Sequence, residues 1–226
     1  MSDTPDLTAT TGTAAGIAGY WDAAAPSFDE EPDHGLRADR TRLAWERRLG
    51  SWVPSGPLDV LDVGCGTGSL SLLLARSGHR VTGVDLAPEM VRRARAKLAE
   101  ANRPARFLVG DAASPPTGGE RFDVLLARHL LWTLPEPEAA LREWIGRLRP
   151  GGRLVLVEGR WRESGQGDPY VAGAEVLPWL GGVGAEDLSA VLRPLVAELR
   201  IELLGEDPEL WGGPVTDERY ALLARV

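Results

Sequence analysis

The sequence predicts an α/β fold, a doubly wound and mostly parallel sheet with helices on both faces. Two patterns predict it. Short apolar strands alternate with amphipathic helices between residues 58 and 157, which is what right-handed βαβ crossovers produce. A glycine-rich turn, Gly64-Cys65-Gly66-Thr67-Gly68, joins the first strand to its helix, and in such sheets ligands bind in the crevice beside that turn. With 226 residues, one large domain is expected before two cramped ones. A content of 43% hydrophobic and 26% charged residues excludes a disordered, collagen-like or coiled-coil chain.

The first 16 residues are rich in Thr and Ala, have little to bury and read as a flexible tail. Residues 14–25 and 36–49 are predicted helices able to pack over the sheet edge. Residues 58–63, Leu-Asp-Val-Leu-Asp-Val, are short, apolar and β-branched, as a buried parallel strand requires. A helix over 69–76 stops at Gly78, and a second strand covers 79–85. Pro88 suits the first turn of the next helix, which carries Met90, Val91, Ala94 and Leu98 on one face as far as Asn102. Arg92, Arg93, Arg95 and Lys97 fill the remainder and read as a solvated face.

A third strand covers 106–109, a Gly/Pro-rich loop 112–119 and a fourth strand 122–127. A helix over 137–149 is closed by Pro150-Gly151-Gly152, and a fifth strand covers 153–157. Beyond Glu158 the periodicity is lost: residues 159–183 hold Gly, Pro and Trp, a length that suggests a functional lid or binding loop. Residues 186–199 return to helix, and 200–204 and 220–225 to strand.

Against 25 basic residues stand 33 acidic ones, a net charge of -8, which argues against nucleic-acid binding and favours small cationic partners. Cys65 is the single cysteine, so no intrachain disulfide or cysteine-rich zinc site forms, and a reducing cytoplasm suits the chain. The opening residues lack a positive start and an apolar stretch, and no segment offers 18 consecutive apolar residues, so neither secretion nor membrane insertion is expected. The acidic side chains and histidines show no metal-ligand spacing. A monomer or homodimer is expected.

Two phosphate-binding chemistries use a glycine-rich turn, and neither fits well. A dinucleotide fingerprint places its third glycine where Ser69 stands, and a P-loop needs a lysine that this turn lacks. Asp85 falls 21 residues after Gly64, where an acidic side chain can accept from ribose hydroxyls. Gly110-Asp111-Ala112 ends the third strand, where a carboxylate can accept from an adenine amine. An adenosine moiety is therefore expected. A nicotinamide-dependent reductase would also show a Tyr-x-x-x-Lys pair, which is missing.

In order along residues 58–158, DVGCGTGSL, VTGVDLAPEM, GDAA, FDVLLARHLLWTL and LRPGGRLVLVE resemble the successive motifs of class I S-adenosylmethionine-dependent methyltransferases. The resemblance implies a Rossmann-like fold with an N-terminal helical lid, S-adenosylmethionine as cofactor and S-adenosylhomocysteine as its product. It implies that Gly64, Cys65, Gly66 and Gly68 lie beside the methionine part and that Asp62 orients the turn or the amino group. Asp85 and Leu86 take the ribose, while Gly110, Asp111 and Ala112 frame the adenine. Arg128, and Tyr20 from the lid, would reach the cofactor carboxylate. Cys65 is then an ordinary small loop residue, not a nucleophile. The division implied is 1–16 tail, 17–55 lid, 56–160 cofactor-binding core and 161–226 substrate loop with the C-terminal helix and strands.

Methyl transfer from a sulfonium is an in-line displacement, for which positioning supplies much of the acceleration. Two histidines are candidate proton acceptors: His129, at the end of the fourth strand, and His34; His79 lies at the wrong end of its strand. Asp22, Asp29, Glu30, Glu31 and Asp33 occur with no Lys or Arg between them. Such a run is most often solvated, but folded over the acceptor Asp29, Glu30 and Asp33 would attract an amine. Trp21, Trp132, Trp161 and Trp211 are candidate aromatic walls for the substrate, whereas Trp45, Trp52 and Trp144 suit core packing. YWDAAAPSFDEEPDHGL, EGRW and LWGGPVTDERY resemble actinobacterial enzymes of specialised metabolism. The expected activity is methylation of an amine on a small molecule, such as an amino sugar of an antibiotic pathway. Methylation of a hydroxyl is the alternative within the class, and a non-catalytic adenosyl-ligand-binding protein the alternative outside it.

Overall fold

A computed structural model describes residues 7–161 and 170–226, with side chains from residue 14 onward. Along the chain, α1 (Leu7–Ala24), α2 (Pro32–Gly35) and α3 (Asp39–Trp52) precede β1 (Asp59–Val63). There follow α4 (Ser69–Arg76), β2 (Arg80–Asp85), α5 (Pro88–Glu100), β3 (Arg106–Val109) and β4 (Phe122–Arg128). The remainder is α6 (Pro137–Gly146), β5 (Leu148–Arg160), α7 (Ala185–Leu192), β6 (Glu198–Leu203), α8 (Pro208–Trp211) and β7 (Glu218–Arg225).

The seven strands form one sheet in the order β3-β2-β1-β4-β5-β7-β6. The first five pair in parallel, and β7 runs antiparallel to both β5 and β6. Strand order reverses between β1 and β4, so a crevice opens at their carboxyl ends. The sheet is buried on both faces, which is why its central strands read as continuous apolar runs and not as alternating ones. On one face Trp45, Leu49 and Trp52 of α3 pack with Leu73 and Leu74 of α4, Val91 and Leu98 of α5, and Val124 and Leu126 of β4. On the other, Leu141 and Trp144 of α6 and Leu188 and Leu192 of α7 cover Leu61, Leu125 and Leu222.

Each core tryptophan also finds a hydrogen-bond acceptor. The indole N–H of Trp45 donates to the Leu210 carbonyl at 2.8 Å, that of Trp144 to the Ala112 carbonyl at 2.7 Å, and that of Trp52 to Glu202 at 2.8 Å.

Several boundaries differ from the sequence expectation. Residues 7–16 are helix and not tail, because α1 begins at Leu7. The helix expected over 137–149 stops at Gly146, and β5 starts at Leu148. Leu148 pairs with Phe122 and is buried, so the ladder resumes before Pro150-Gly151-Gly152, which the strand passes through with Gly151 at φ +77°. The helix expected over 186–199 ends at Leu192; Pro194 lacks an N–H, and Glu198 already pairs with Arg225. Helices α2 and α8 span four residues each, too few to show a period. Of the loop expected over 159–183, residues 162–169 lie outside the described residues. Gly159 and Arg160 extend β5, and Arg160 bridges to Gly182.

Gly68 opens α4 at φ +79°, and a Cβ there would stand 2.9 Å from the Ala94 Cβ on α5. Gly68→Ala should therefore combine a left-handed alanine with a clash between two helices. The expected cost is about 1–3 kcal/mol, read as a lower urea midpoint.

Candidate functional site

A cavity of about 340 Å³ opens at the carboxyl ends of β1, β2 and β4, beneath the segment that links α1 to α2. Its floor is the glycine-rich turn. Gly64 and Gly66 sit at φ +67° and +52°, which an L side chain would strain. The turn is bolted to β2: the N–H groups of Gly64 and Cys65 donate to the Val84 carbonyl at 2.8 and 3.1 Å. Asp85 completes it, accepting from Gly66 N–H at 2.8 Å and from Ala87 N–H at 3.0 Å.

Asp62 and Asp85 are both buried and face this cavity. Burial pushes the Asp62 carboxyl up to about 7, against a hydrogen bond from Ser71 Oγ, and the charge of Asp85 adds to the rise. Burial also raises Asp85, against its two backbone donors. Among the described residues neither carboxylate has an ion-pair partner within 4.0 Å. A pair of uncompensated buried acids suits a ligand with a cationic end and hydroxyls, and repels a pyrophosphate. Asp111 and Ala112 lie further along the wall; Asp111 accepts from Ala113 N–H at 2.8 Å and so shapes its own turn.

The opposite wall is aromatic. His129 sits at φ +51°, and its N–H donates to the Val157 carbonyl at 2.9 Å. Its ring stacks on Trp211 at 5.8 Å and meets Trp161 edge-on at 5.0 Å. Nε2 is buried without a partner among the described residues. Burial, followed by the charges of Arg128, Arg219 and His34, holds the His129 pKa well below the ordinary histidine value, so the ring is neutral. His34 stacks on Phe28 at 4.2 Å and is lowered by burial and then by Arg128, with Asp33 and Glu31 opposing. The Trp132 indole N–H donates to the His129 carbonyl at 2.8 Å, and Trp21 meets Trp132 edge-on.

The cavity thus gathers most of the expected residues. Asp62, Gly64, Cys65, Gly66, Asp85 and Leu86 line it, as do Arg128, His129, Trp132, Trp161, Trp21 and His34. The buried Cys65 thiol is raised well above its ordinary value by burial and by Asp85 and Asp62, so it is no nucleophile.

Seven expected residues lie off the cavity lining. Tyr20 is 41% exposed and packs edge-on to Trp21 and Tyr170. Gly68 is needed for the contact of α4 with α5, and at Gly110 a Cβ would strike Pro116 at 2.6 Å. Trp211 backs His129 from behind and carries Arg219 over its ring at 4.5 Å. The acids expected to recruit an amine are spent on the fold. Asp29 pairs with Lys97 at 2.8 Å, Asp33 with Arg128 at 3.5 Å and Arg219 at 3.9 Å, and Glu30 is exposed. Asp22 likewise accepts from Glu89 N–H in the first turn of α5 at 2.8 Å. Arg128, expected against a cofactor carboxylate, faces Asp33 and lies over the Trp45 ring.

Phe28, Leu130, Lys97 and Glu158 are the residues that sequence reasoning missed. Glu158 is fully buried; its Oε1 accepts from Leu130 N–H at 3.0 Å and Leu131 N–H at 3.1 Å, shaping the turn after His129, while Oε2 has no partner among the described residues. Burial pushes this carboxyl up to about 7, against the two backbone donors. The folded protein therefore holds a proton that the unfolded chain releases near the ordinary 4.5. That contribution to stability is present at low pH and is lost as pH rises through about 7. Relative to Glu158→Gln, the unmodified protein should gain stability as pH falls from 7 to 5, with a limiting slope of about 1.4 kcal/mol per pH unit. Urea midpoints of both proteins across that range check it.

A seven-stranded sheet of this order, with the glycine-rich turn after β1 and acids ending β1 and β2, is the class I methyltransferase fold, Rossmann-like and flanked by helices. Residues 61–156 match the family model described as "Methyltransferase domain". The chain is 37% identical over 140 residues to "Ubiquinone biosynthesis O-methyltransferase" of Xanthomonas axonopodis pv. citri (strain 306), an alignment covering 61% of this chain and 54% of the relative. The chain therefore spans about half the length of the curated relatives it matches. Among solved structures, the [4+2]-cyclase SpnF superposes with a TM-score of 0.72 at 24% identity, covering 92% of this chain and 94% of the other. Magnesium protoporphyrin IX methyltransferase (ChlM) from Synechocystis PCC 6803, with bound SAM, gives 0.67 at 17% identity, covering 100% and 99%. Among the described residues no helix is long and apolar enough to cross a membrane, and no group of three metal-ligating side chains converges.

Proposed function

We propose that this protein is an S-adenosylmethionine-dependent methyltransferase that methylates a hydroxyl oxygen on a small, largely aromatic acceptor. The observation that carries the reading is one cavity that holds buried carboxylates at the glycine-rich turn together with neutral histidines among aromatic rings. When bound, S-adenosylmethionine supplies a methyl carbon made electrophilic by its sulfonium.

Asp85, beside Leu86, would accept from the ribose hydroxyls, and Asp111 and Ala112 would flank the adenine. Asp62 and the backbone of Gly64 to Gly66 would hold the amino-acid end. Gly68 and Gly110 serve by letting the backbone pass. Trp21, Trp132 and Trp161 exclude water and orient a planar acceptor. His129 is the candidate base: being neutral, it can take the proton from an acceptor hydroxyl.

A hydroxyl is favoured over an amine for two reasons. Asp29 and Asp33, two of the acids expected to recruit an ammonium group, are already paired, and Arg128 and Arg219 place positive charge around His129. The curated relatives' name, an O-methyltransferase, agrees with that choice.

The experiment is methyl-labelled S-adenosylmethionine incubated with matched phenols and amines. Label on a phenol oxygen with release of S-adenosylhomocysteine is expected. Label on amines in preference to phenols sinks the hydroxyl assignment, and binding of S-adenosylhomocysteine without turnover of any acceptor leaves a ligand-binding protein in its place.

A further inference from the structure

Lys97 is the one lysine of the sequence, and it does not lie on a solvated face. Its side chain is 20% exposed, and its ammonium has three donors for three acceptors: Asp29 Oδ2 at 2.8 Å, Thr67 Oγ1 at 2.9 Å and Ser69 Oγ at 2.7 Å. Thr67 Oγ1 in turn donates to Asp29 Oδ1 at 2.5 Å, so Asp29, Lys97 and Thr67 close a ring.

The ring joins three separate parts of the chain. Thr67 and Ser69 belong to the glycine-rich turn and the start of α4, Lys97 to α5, and Asp29 to the short helical turn Phe28–Glu30. The residues beside Asp29 roof the cavity. Phe28 lies over Gly66, where a Cβ would stand 3.4 Å from its ring, and stacks on His34. The contact of Ala94 and Leu98 with Gly68 sets Lys97 beside the turn. Burial pulls the ammonium toward neutrality, and Asp29 opposes this, so the charge depends on a partner carried by the roof. A ligand entering or leaving over Gly66 passes Phe28, and a swing of the Phe28–Glu30 turn that clears its path stretches the Asp29 contacts.

The geometry points to the Asp29–Lys97–Thr67 ring as a latch that sets how fast the donor pocket opens, with Lys97 as a positioning residue acting through the Phe28–His34 roof. The inference rests on the cavity being the donor site. Lys97→Met removes all three donors at similar side-chain length, and Lys97→Arg keeps the charge.

The test is stopped-flow binding and release of S-adenosylhomocysteine, followed by tryptophan fluorescence because Trp21 lines the cavity. Release from Lys97→Met should be about tenfold faster, the loss expected for a charge-assisted contact, association should also quicken, and Lys97→Arg should restore slow release. A lower unfolding midpoint for Lys97→Met with unchanged release assigns Lys97 a structural role only and overturns the latch.

A second readout needs no ligand. As the only side-chain amine, Lys97 can be followed by reductive methylation and peptide mass mapping. Asp29→Asn should speed its modification about tenfold, and equal rates in both proteins overturn the latch. If the unmodified protein takes up no S-adenosylhomocysteine, the donor reading of the cavity falls, and the methylation comparison alone decides whether the ring holds the roof closed.

Discussion

His129→Asn is expected to lower kcat for a hydroxyl acceptor by about 10² or more, the share of rate that a positioned base supplies, with the affinity for S-adenosylhomocysteine unchanged. Asparagine is the informative replacement because it tolerates the left-handed backbone at φ +51°, whereas alanine would add strain to the loss of the base. The pH dependence separates base from scaffold. Because burial and the charges of Arg128, Arg219 and His34 all depress the His129 pKa, the ring stays unprotonated well below the ordinary value. Steady-state kcat should therefore hold level from pH 8 down through 6.5 and fall only at lower pH. A decline centred on the ordinary histidine value, or an Asn variant as fast as the parent, would remove His129 from the reaction.

Asp85→Ala should weaken S-adenosylhomocysteine binding by about 100-fold or more. The substitution removes the proposed acceptor for the ligand hydroxyls and leaves the N–H groups of Gly66 and Ala87 without the carboxylate that holds them, and each hydrogen bond to a charged group is worth about 1.5–3 kcal/mol. Asp85→Asn keeps one oxygen acceptor and should fall between the two. Isothermal titration of the three proteins decides it; affinity that is equal in all three would take Asp85 out of the donor site.

The glycine-rich-turn side of this cavity was legible because its signals are local. Gly64, Gly66 and Asp85 follow from a tight turn and a strand end, features that a few consecutive residues dictate. The central strands β1, β2 and β4 were legible for a related reason: burial on both faces leaves each as a short apolar block. What escaped was non-local. The acids Asp22, Asp29 and Asp33 look free in sequence because their partners, the start of α5, Lys97, and Arg128 with Arg219, lie far along the chain. Lys97 was assigned to solvent since a helical wheel shows which residues share a face, not what a glycine on the next helix lets that face touch. Glu158 gives no pattern at all, because a buried carboxylate held by two backbone N–H groups is defined by the turn it supports. Helix ends at Gly146 and Leu192 were missed where strand pairing overrode continuing helical character.

The place of β7 has a consequence for biogenesis. It lies between β5 and β6 and supplies the register for both, yet it is the last of the three to be translated. As the nascent polypeptide leaves the ribosome, β6 emerges before any strand exists for it to join, and the apolar side chains of α7 wait with it. The parallel half, from β1 to β5, can condense meanwhile. Final closure waits for the arrival of residues 218–225, and a stalled or clipped product lacking them would present an open β5 margin to its neighbours.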